Sequence, residues 1–63
     1  MAYIVTWKKQ PGDQIIRDEI YNDLDKALSE AEVMMAGPFS VEITVADEFG
    51  KVLRTVVSGG RSN

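Results

Sequence analysis

The alternation of apolar and polar residues predicts two β-hairpins separated by one amphipathic helix. Tyr3 to Lys8 and Gln14 to Tyr21 alternate with the period of two that is typical of half-buried strands. Gln10-Pro11-Gly12-Asp13 lies between them and predicts a turn, because proline presets φ and glycine tolerates a positive φ. The pattern does not decide whether Trp7 or Ile4 faces the helix.

The helix is predicted from apolar residues that recur with a period of about 3.6. They are Leu24, Ala27, Leu28, Ala31 and Met34 or Met35. Asn22 is the predicted N-cap, with Asp25 as the acidic residue of a capping box. Gly37 and Pro38 predict the C-terminal end. We expect this stripe to pack on the sheet, with the two methionines filling gaps in the core.

The second predicted hairpin runs from Phe39 to Val57. Asp47-Glu48-Phe49-Gly50 predicts a type I turn with Gly50 in a left-handed bulge, which places Asp47 opposite Lys51. A regular register then puts three pairs on the helix side: Val45 with Leu53, Ile43 with Thr55, and Val41 with Val57. The other side would carry Glu42 with Val56, Thr44 with Arg54, and Ala46 with Val52. Phe49 is unusual in a turn and either folds back or reaches a partner.

These elements predict an α+β fold, a two-layer β-β-α-β-β arrangement. One helix would pack on a three- to four-stranded, mainly antiparallel sheet. Residues 1–57 would form a single domain and residues 58–63 a flexible C-terminal tail, because the tail lacks an apolar anchor.

The size of the chain raises the question of what stabilises it. A domain of 63 residues buries about 60% of its unfolded surface, and such a core rarely supplies more than about 3–5 kcal/mol. The sequence contains no Cys and no His, which excludes disulfides and argues against zinc and haem. We therefore expect no cofactor and no metal, and efficient packing or self-association as the source of stability.

The same composition argues against an enzyme and against a membrane protein. Cys nucleophiles and Ser-His pairs are absent. Acids one or two positions apart do not share a helix face, and neighbouring acids on a strand point to opposite sides. No apolar run approaches the roughly 18 residues that span a bilayer, and the first residues lack a signal-peptide pattern. With no cysteine, the expected location is the cytoplasm.

Three functional hypotheses follow, and the first is a non-enzymatic protein-interaction module. It would form a homodimer through an apolar sheet face or a strand edge, which would compensate for the small core. Candidate interface residues are Val52, Arg54, Val56 and Phe49, with Trp7 included if its side of the sheet is exposed.

The second hypothesis is weak nucleic-acid binding by a basic and aromatic sheet face. Its candidate contacts are Lys8, Lys9, Arg17 and Arg54, with Tyr3 or Trp7 stacking on bases. The formal net charge of −3 argues against strong phosphate binding.

The third hypothesis is an acidic inhibitor or adaptor, of the kind that phages and mobile elements encode, which would bind a basic partner. Residues 13–32 hold seven acids and two bases, a local charge of −5. The acidic helix surface would carry Asp25, Ser29, Glu30, Glu32 and Val33. The closing hairpin, Val41 to Val52, is similar to those of many small bacterial and phage proteins, a resemblance too generic to imply a function.

Overall fold

The computed structural model describes residues 1–32 and 40–59, which form four strands and one helix. The elements in chain order are β1 (Tyr3–Gln10), β2 (Gln14–Tyr21), α1 (Leu24–Ala31), β3 (Ser40–Asp47) and β4 (Val52–Gly59). The strands make one open antiparallel sheet in the order β2-β1-β3-β4. The predicted α+β fold is therefore confirmed, with four strands. β4 continues to Gly59, two residues into the segment predicted as a tail.

Both hairpin turns have the backbone conformations that their residues favour. In the first, Gly12 and Asp13 take positive φ values of 106° and 55°. In the second, Gly50 has φ 86°, and the Asp47 carboxylate accepts the N–H groups of Phe49 and Lys51 at 2.9 Å. The Asp47 N–H also donates to the Lys51 carbonyl at 2.9 Å. The predicted turn, with Gly50 in a left-handed conformation, is confirmed.

The helix begins one residue later than the predicted cap implies. Asp23, not Asn22, is the N-cap, and its side chain makes no capping hydrogen bond. Its carbonyl accepts the Ala27 N–H at 3.0 Å. The predicted capping box is therefore wrong, and Asp25 contributes only as an acidic residue in the first turn, where it complements the helix dipole.

The helix ends at Ala31, with Glu32 as its C-cap. This is earlier than the glycine-proline pair had indicated. The predicted contributions of Met34, Met35 and Gly37 lie outside the described residues. Within α1 the predicted apolar stripe is confirmed, because Ala27 and Ala31 are buried and the two leucines pack beside them.

One side of the sheet, here called the covered face, packs against α1 and holds the core. Its buried side chains come from the two central strands. They are Val5 and Trp7 of β1 and Val41, Ile43 and Val45 of β3. Trp7, and not Ile4, thus faces the helix. Tyr3, Tyr21 and Val56 pack at the margin of this cluster.

Each edge strand contains a β-bulge. Between the Trp7–Arg17 and Lys8–Ile15 pairs, β2 has one extra residue, Ile16. Between the Val45–Arg54 and Ala46–Val52 pairs, β4 has one extra residue, Leu53. A bulge sets two residues against one and reverses the alternation beyond it.

The bulge in β4 overturns the predicted register of the second hairpin. Of the six strand pairs predicted beyond the turn, only Ala46–Val52 is observed; past it Ile43 lies opposite Val56, and Glu42 lies opposite Val57. Val56 therefore belongs to the covered face and Val57 to the other side. Alternation could not choose between the two arrangements, since each predicted set of three β4 residues contains two apolar residues and one polar residue.

Candidate interaction surface

The side of the sheet away from α1, here called the open face, carries Ile4, Thr6 and Lys8 of β1 together with the residues paired to them. No described element packs over it. The register arranges its side chains in rows that cross the four strands, because directly opposed residues of antiparallel strands lie on the same side.

The first row is apolar across the whole width of the sheet. Strand pairing aligns one residue from each strand in the order Ile20, Ile4, Ala46, Val52. Ile20 is 70% exposed and Val52 is 54% exposed, while the two central residues are half-buried by their neighbours. Four adjacent apolar side chains at the usual spacing of about 4.8 Å between strands form a continuous hydrophobic strip.

The middle row is uncharged apart from one end. It consists of Asp18, Thr6, Thr44 and Thr55 in spatial order. Opposed threonines suit a pleated surface, and their hydroxyl groups can exchange hydrogen bonds or remain hydrated.

The third row places two opposite charges between two exposed apolar residues. Its order is Ile15, Lys8, Glu42, Val57. The Glu42 carboxylate also accepts a hydrogen bond from the Gln10 side-chain amide at 3.1 Å. Val57 is 68% exposed. The open face is thus apolar at one end, and mixed apolar and charged at the other.

The structure divides the predicted interface residues among three places. Val52 lies in the apolar row of the open face. Val56 is half-buried against the core and Arg54 shares its side of β4, so the register change moves both to the covered face. Phe49 lies at the second turn, 78% exposed, and does not fold back. Trp7 has no exposed surface, so the condition for including it as an interface residue is not met.

The residues proposed to contact nucleic acid are also dispersed. Lys8 lies on the open face beside Glu42, whereas Arg17 is on the covered face, with its guanidinium 4.4 Å from the centroid of the Trp7 ring. Lys9 pairs with Gln14 and Val41 near the opposite end of the sheet from Tyr3. Because Tyr3 and Trp7 belong to the covered face, the described part of the open face offers no aromatic side chain for base stacking.

Trp7 lies at the centre of the covered face, where its ring contacts Arg17 but its indole N–H donates no hydrogen bond to a described residue. Among the described residues its buried Nε1 has no hydrogen-bond partner, a desolvation cost of about 1–3 kcal/mol. Arg17 partly offsets this through its cation–π contact, worth about 0.5–1 kcal/mol at an exposed site. Arg17 also pairs with Glu19 at 3.6 Å. Trp7 therefore acts as a packing residue.

Tyr21 occupies the same side of β2, beside the helix. Burial raises the pKa of its hydroxyl, and the carboxylates of Glu30 and Glu19 raise that pKa further, while Arg17 lowers it. The phenol is therefore neutral at physiological pH, and it behaves as part of the covered face.

Ion pairs partly neutralise the acidic helix surface. Glu30 pairs with Lys26 one turn earlier at 3.9 Å, and Glu32 pairs with Arg54 of β4 at 3.1 Å. Asp25 and Ser29 are exposed, and Val33 lies outside the described residues. The Glu32–Arg54 pair ties the end of the helix to an edge strand, so this carboxylate has an intramolecular role.

Three open-face residues were missed in the sequence, namely Ile15, Ile20 and Val57. Regular alternation along β2 predicts Ile15 and Ile20 on opposite sides of the sheet, and this is wrong, because the bulge at Ile16 brings both to the open face. Val57 was placed on the helix side by the regular register.

Within residues 1–32 and 40–59 the chain has no pocket and no cluster of three metal-ligating side chains. The one described helix is too short and too polar to cross a membrane.

Comparisons with protein-family models, curated proteins and solved structures found no match to this chain. Function is therefore inferred from the surface of the described residues.

Proposed function

We propose that the protein is a small non-enzymatic interaction module that binds another protein through the open face of its sheet. The observation that carries this proposal is the apolar row that crosses all four strands on the side of the sheet away from α1. A cytoplasmic location, expected from the absence of cysteine, suits such a module.

The arrangement of exposed apolar residues supports the open face over the rest of the surface. Four large apolar side chains protrude at its margins, from the two edge strands: Ile15, Ile20, Val52 and Val57. Exposed apolar residues scattered singly are ordinary, whereas a contiguous patch bordered by polar groups is typical of an interaction site. The threonine row and the Lys8–Glu42 pair provide that polar surround.

The bulges favour the face over the strand edges. A regular edge strand presents unpaired N–H and C=O groups that can pair with another chain, and a bulge interrupts that pattern. Both edges of this sheet are bulged, at Ile16 and at Leu53. Strand addition is thereby disfavoured at both edges, while the face between them stays continuous.

The test is a binding comparison between two matched charge substitutions. Ile20→Glu places a charge in the apolar row, and Phe49→Glu places one at a similarly exposed apolar residue outside the open face. Tagged wild-type and variant chains are incubated with an extract of the cells that make the protein and, separately, with untagged copies of the chain.

We expect a partner to be retained by the wild type and by Phe49→Glu, and lost by Ile20→Glu. Far-UV circular dichroism should show that both variants stay folded, since both side chains are solvent-exposed. Equal retention by all three chains would show that binding does not use the open face and would refute the proposal.

A further inference from the structure

The rows of the open face match one another under a two-fold rotation, and this symmetry bears on which partner the face binds. Rotation by 180° about an axis parallel to the strands, midway between β1 and β3, brings β1 of one copy over β3 of another and β2 over β4. Each row then meets the same row of the second copy, in reverse order. The rows are defined by strand pairing, so this correspondence follows directly from the register.

The correspondence is chemically complementary. Ile20 meets Val52 and Ile4 meets Ala46 in the apolar row, while Thr6 meets Thr44 in the middle row. In the third row Ile15 meets Val57, and Lys8 of each copy meets Glu42 of the other. The two lysines and two glutamates alternate in sign, with each lysine beside one carboxylate in its own sheet and facing another.

We propose that the open face binds a second copy of this chain, with the strands of the two sheets aligned and Lys8 facing Glu42 across the interface. This inference rests on the proposed function and names the partner. The strands of two aligned sheets cross at about 30° because each sheet is twisted. The contacts near the centre of the interface are therefore preserved better than those at its corners.

Charge selects this arrangement over the other face-to-face symmetry. A two-fold axis running across the strands would place Lys8 against Ile4 and Glu42 against Ala46. Each charge would then be desolvated against an apolar surface without gaining an opposite charge, which is strongly unfavourable. The aligned arrangement avoids this cost and also leaves the charged row at one end of the interface, close to solvent.

The available area is consistent with a reversible dimer. Four strands of eight residues cover about 26 Å by 19 Å, or roughly 500 Å² of projected surface per copy, at ordinary strand spacings. Stable complexes usually bury about 800 Å² per partner, and transient ones bury less. We therefore expect a reversible dimer with a dissociation constant in the micromolar range or weaker.

The first measurement is the molar mass of the full chain by light scattering over a dilution series. The proposal requires a dimer at high concentration that dissociates on dilution. A monomer at every concentration up to the solubility limit would overturn it, while a partner captured in the previous experiment would leave the proposed function standing.

The second measurement tests the geometry with Lys8→Glu and Glu42→Lys chains. Each substitution alone creates like charges across the interface and also within its own sheet. Mixing the two variants removes the intermolecular repulsion alone, because each position 8 then faces an opposite charge at position 42. One variant is labelled with ¹⁵N so that native mass spectrometry separates the mixed dimer from the two homodimers.

We expect the mixed dimer to be roughly tenfold tighter than either homodimer, since two exposed ion pairs replace two repulsions, and we expect high salt to reduce this preference. A dimer of wild-type chains whose variants mix at random would overturn the aligned arrangement without affecting the proposed function. Circular dichroism of each variant separates loss of association from loss of the fold.

Discussion

The two faces of this sheet contain similar strand residues in different environments. On the covered face, Val5, Ile43 and Val45 are completely buried beneath the helix. On the open face, Ile20 and Val57 remain about two-thirds exposed. β-Branched residues favour strands on either side, so residue type alone does not distinguish a core from a binding surface. The position of α1 makes that distinction.

Adjacent residues of β3 that lie on opposite faces provide the strongest test of the difference between the covered and the open face. Ile43→Ala removes a fully buried side chain, and we expect a loss of about 2–5 kcal/mol in the free energy of unfolding. That loss is comparable to the stability that so small a core supplies. Thr44→Ala, its neighbour on the open face, should change the value by less than about 1 kcal/mol. Urea unfolding followed by circular dichroism measures both. Equal effects would contradict the assignment of faces.

A second pair, in β4, tests the corrected register. Val56→Glu would place an unpaired charge at the margin of the core and should destabilise the fold by about 2 kcal/mol or more. Val57→Glu should leave the fold intact and weaken association, because this side chain belongs to the open face. Thermal unfolding and light scattering on both variants give the two readouts. Under the regular register predicted from the sequence, Val57→Glu would destabilise the fold and Val56→Glu would weaken association.

The bulge itself can be removed. Deleting Leu53 leaves Arg54 opposite Val45 and all later pairs unchanged, so we expect the free energy of unfolding to change by about 1 kcal/mol or less, the size of a typical substitution. With an unbulged native hairpin, the same deletion would transfer every later β4 residue to the other face. Chemical denaturation, with circular dichroism to confirm the fold, separates these outcomes. Loss of folding would indicate that the bulge is not where we place it.

The smallest expected effect concerns the ion pair between the helix end and β4. Glu32→Gln removes the carboxylate partner of Arg54, and for two half-exposed side chains we expect at most about 1 kcal/mol. Added salt should reduce the difference between wild type and variant. Glu30→Gln is the matched control, since it interrupts a pair confined to the helix. If both substitutions have the same effect at all salt concentrations, the pair does not fasten α1 to the sheet.

The order of the elements and the two turns could be predicted from the amino-acid sequence alone. The reason is local: Gly12, Gly50 and Asp47 specify turn geometry through φ and side-chain hydrogen bonds with near neighbours. The apolar spacing of α1 likewise placed Ala27 and Ala31 in the core. These features depend on interactions within a few residues, and so they could be predicted without knowledge of the sheet.

The covered side of each strand, in contrast, depends on how the strands pair and where α1 packs. A bulge adds one residue, and the residue types do not mark where it lies: Ile16 and Leu53 each stand between an apolar residue and an arginine. The bulge at Leu53 nonetheless reverses the sides of Val56 and Val57, and with them the assignment of core and candidate interface. The complementary rows of the open face arise from pairing between strands distant in the chain, which the order of residues along one strand does not reveal.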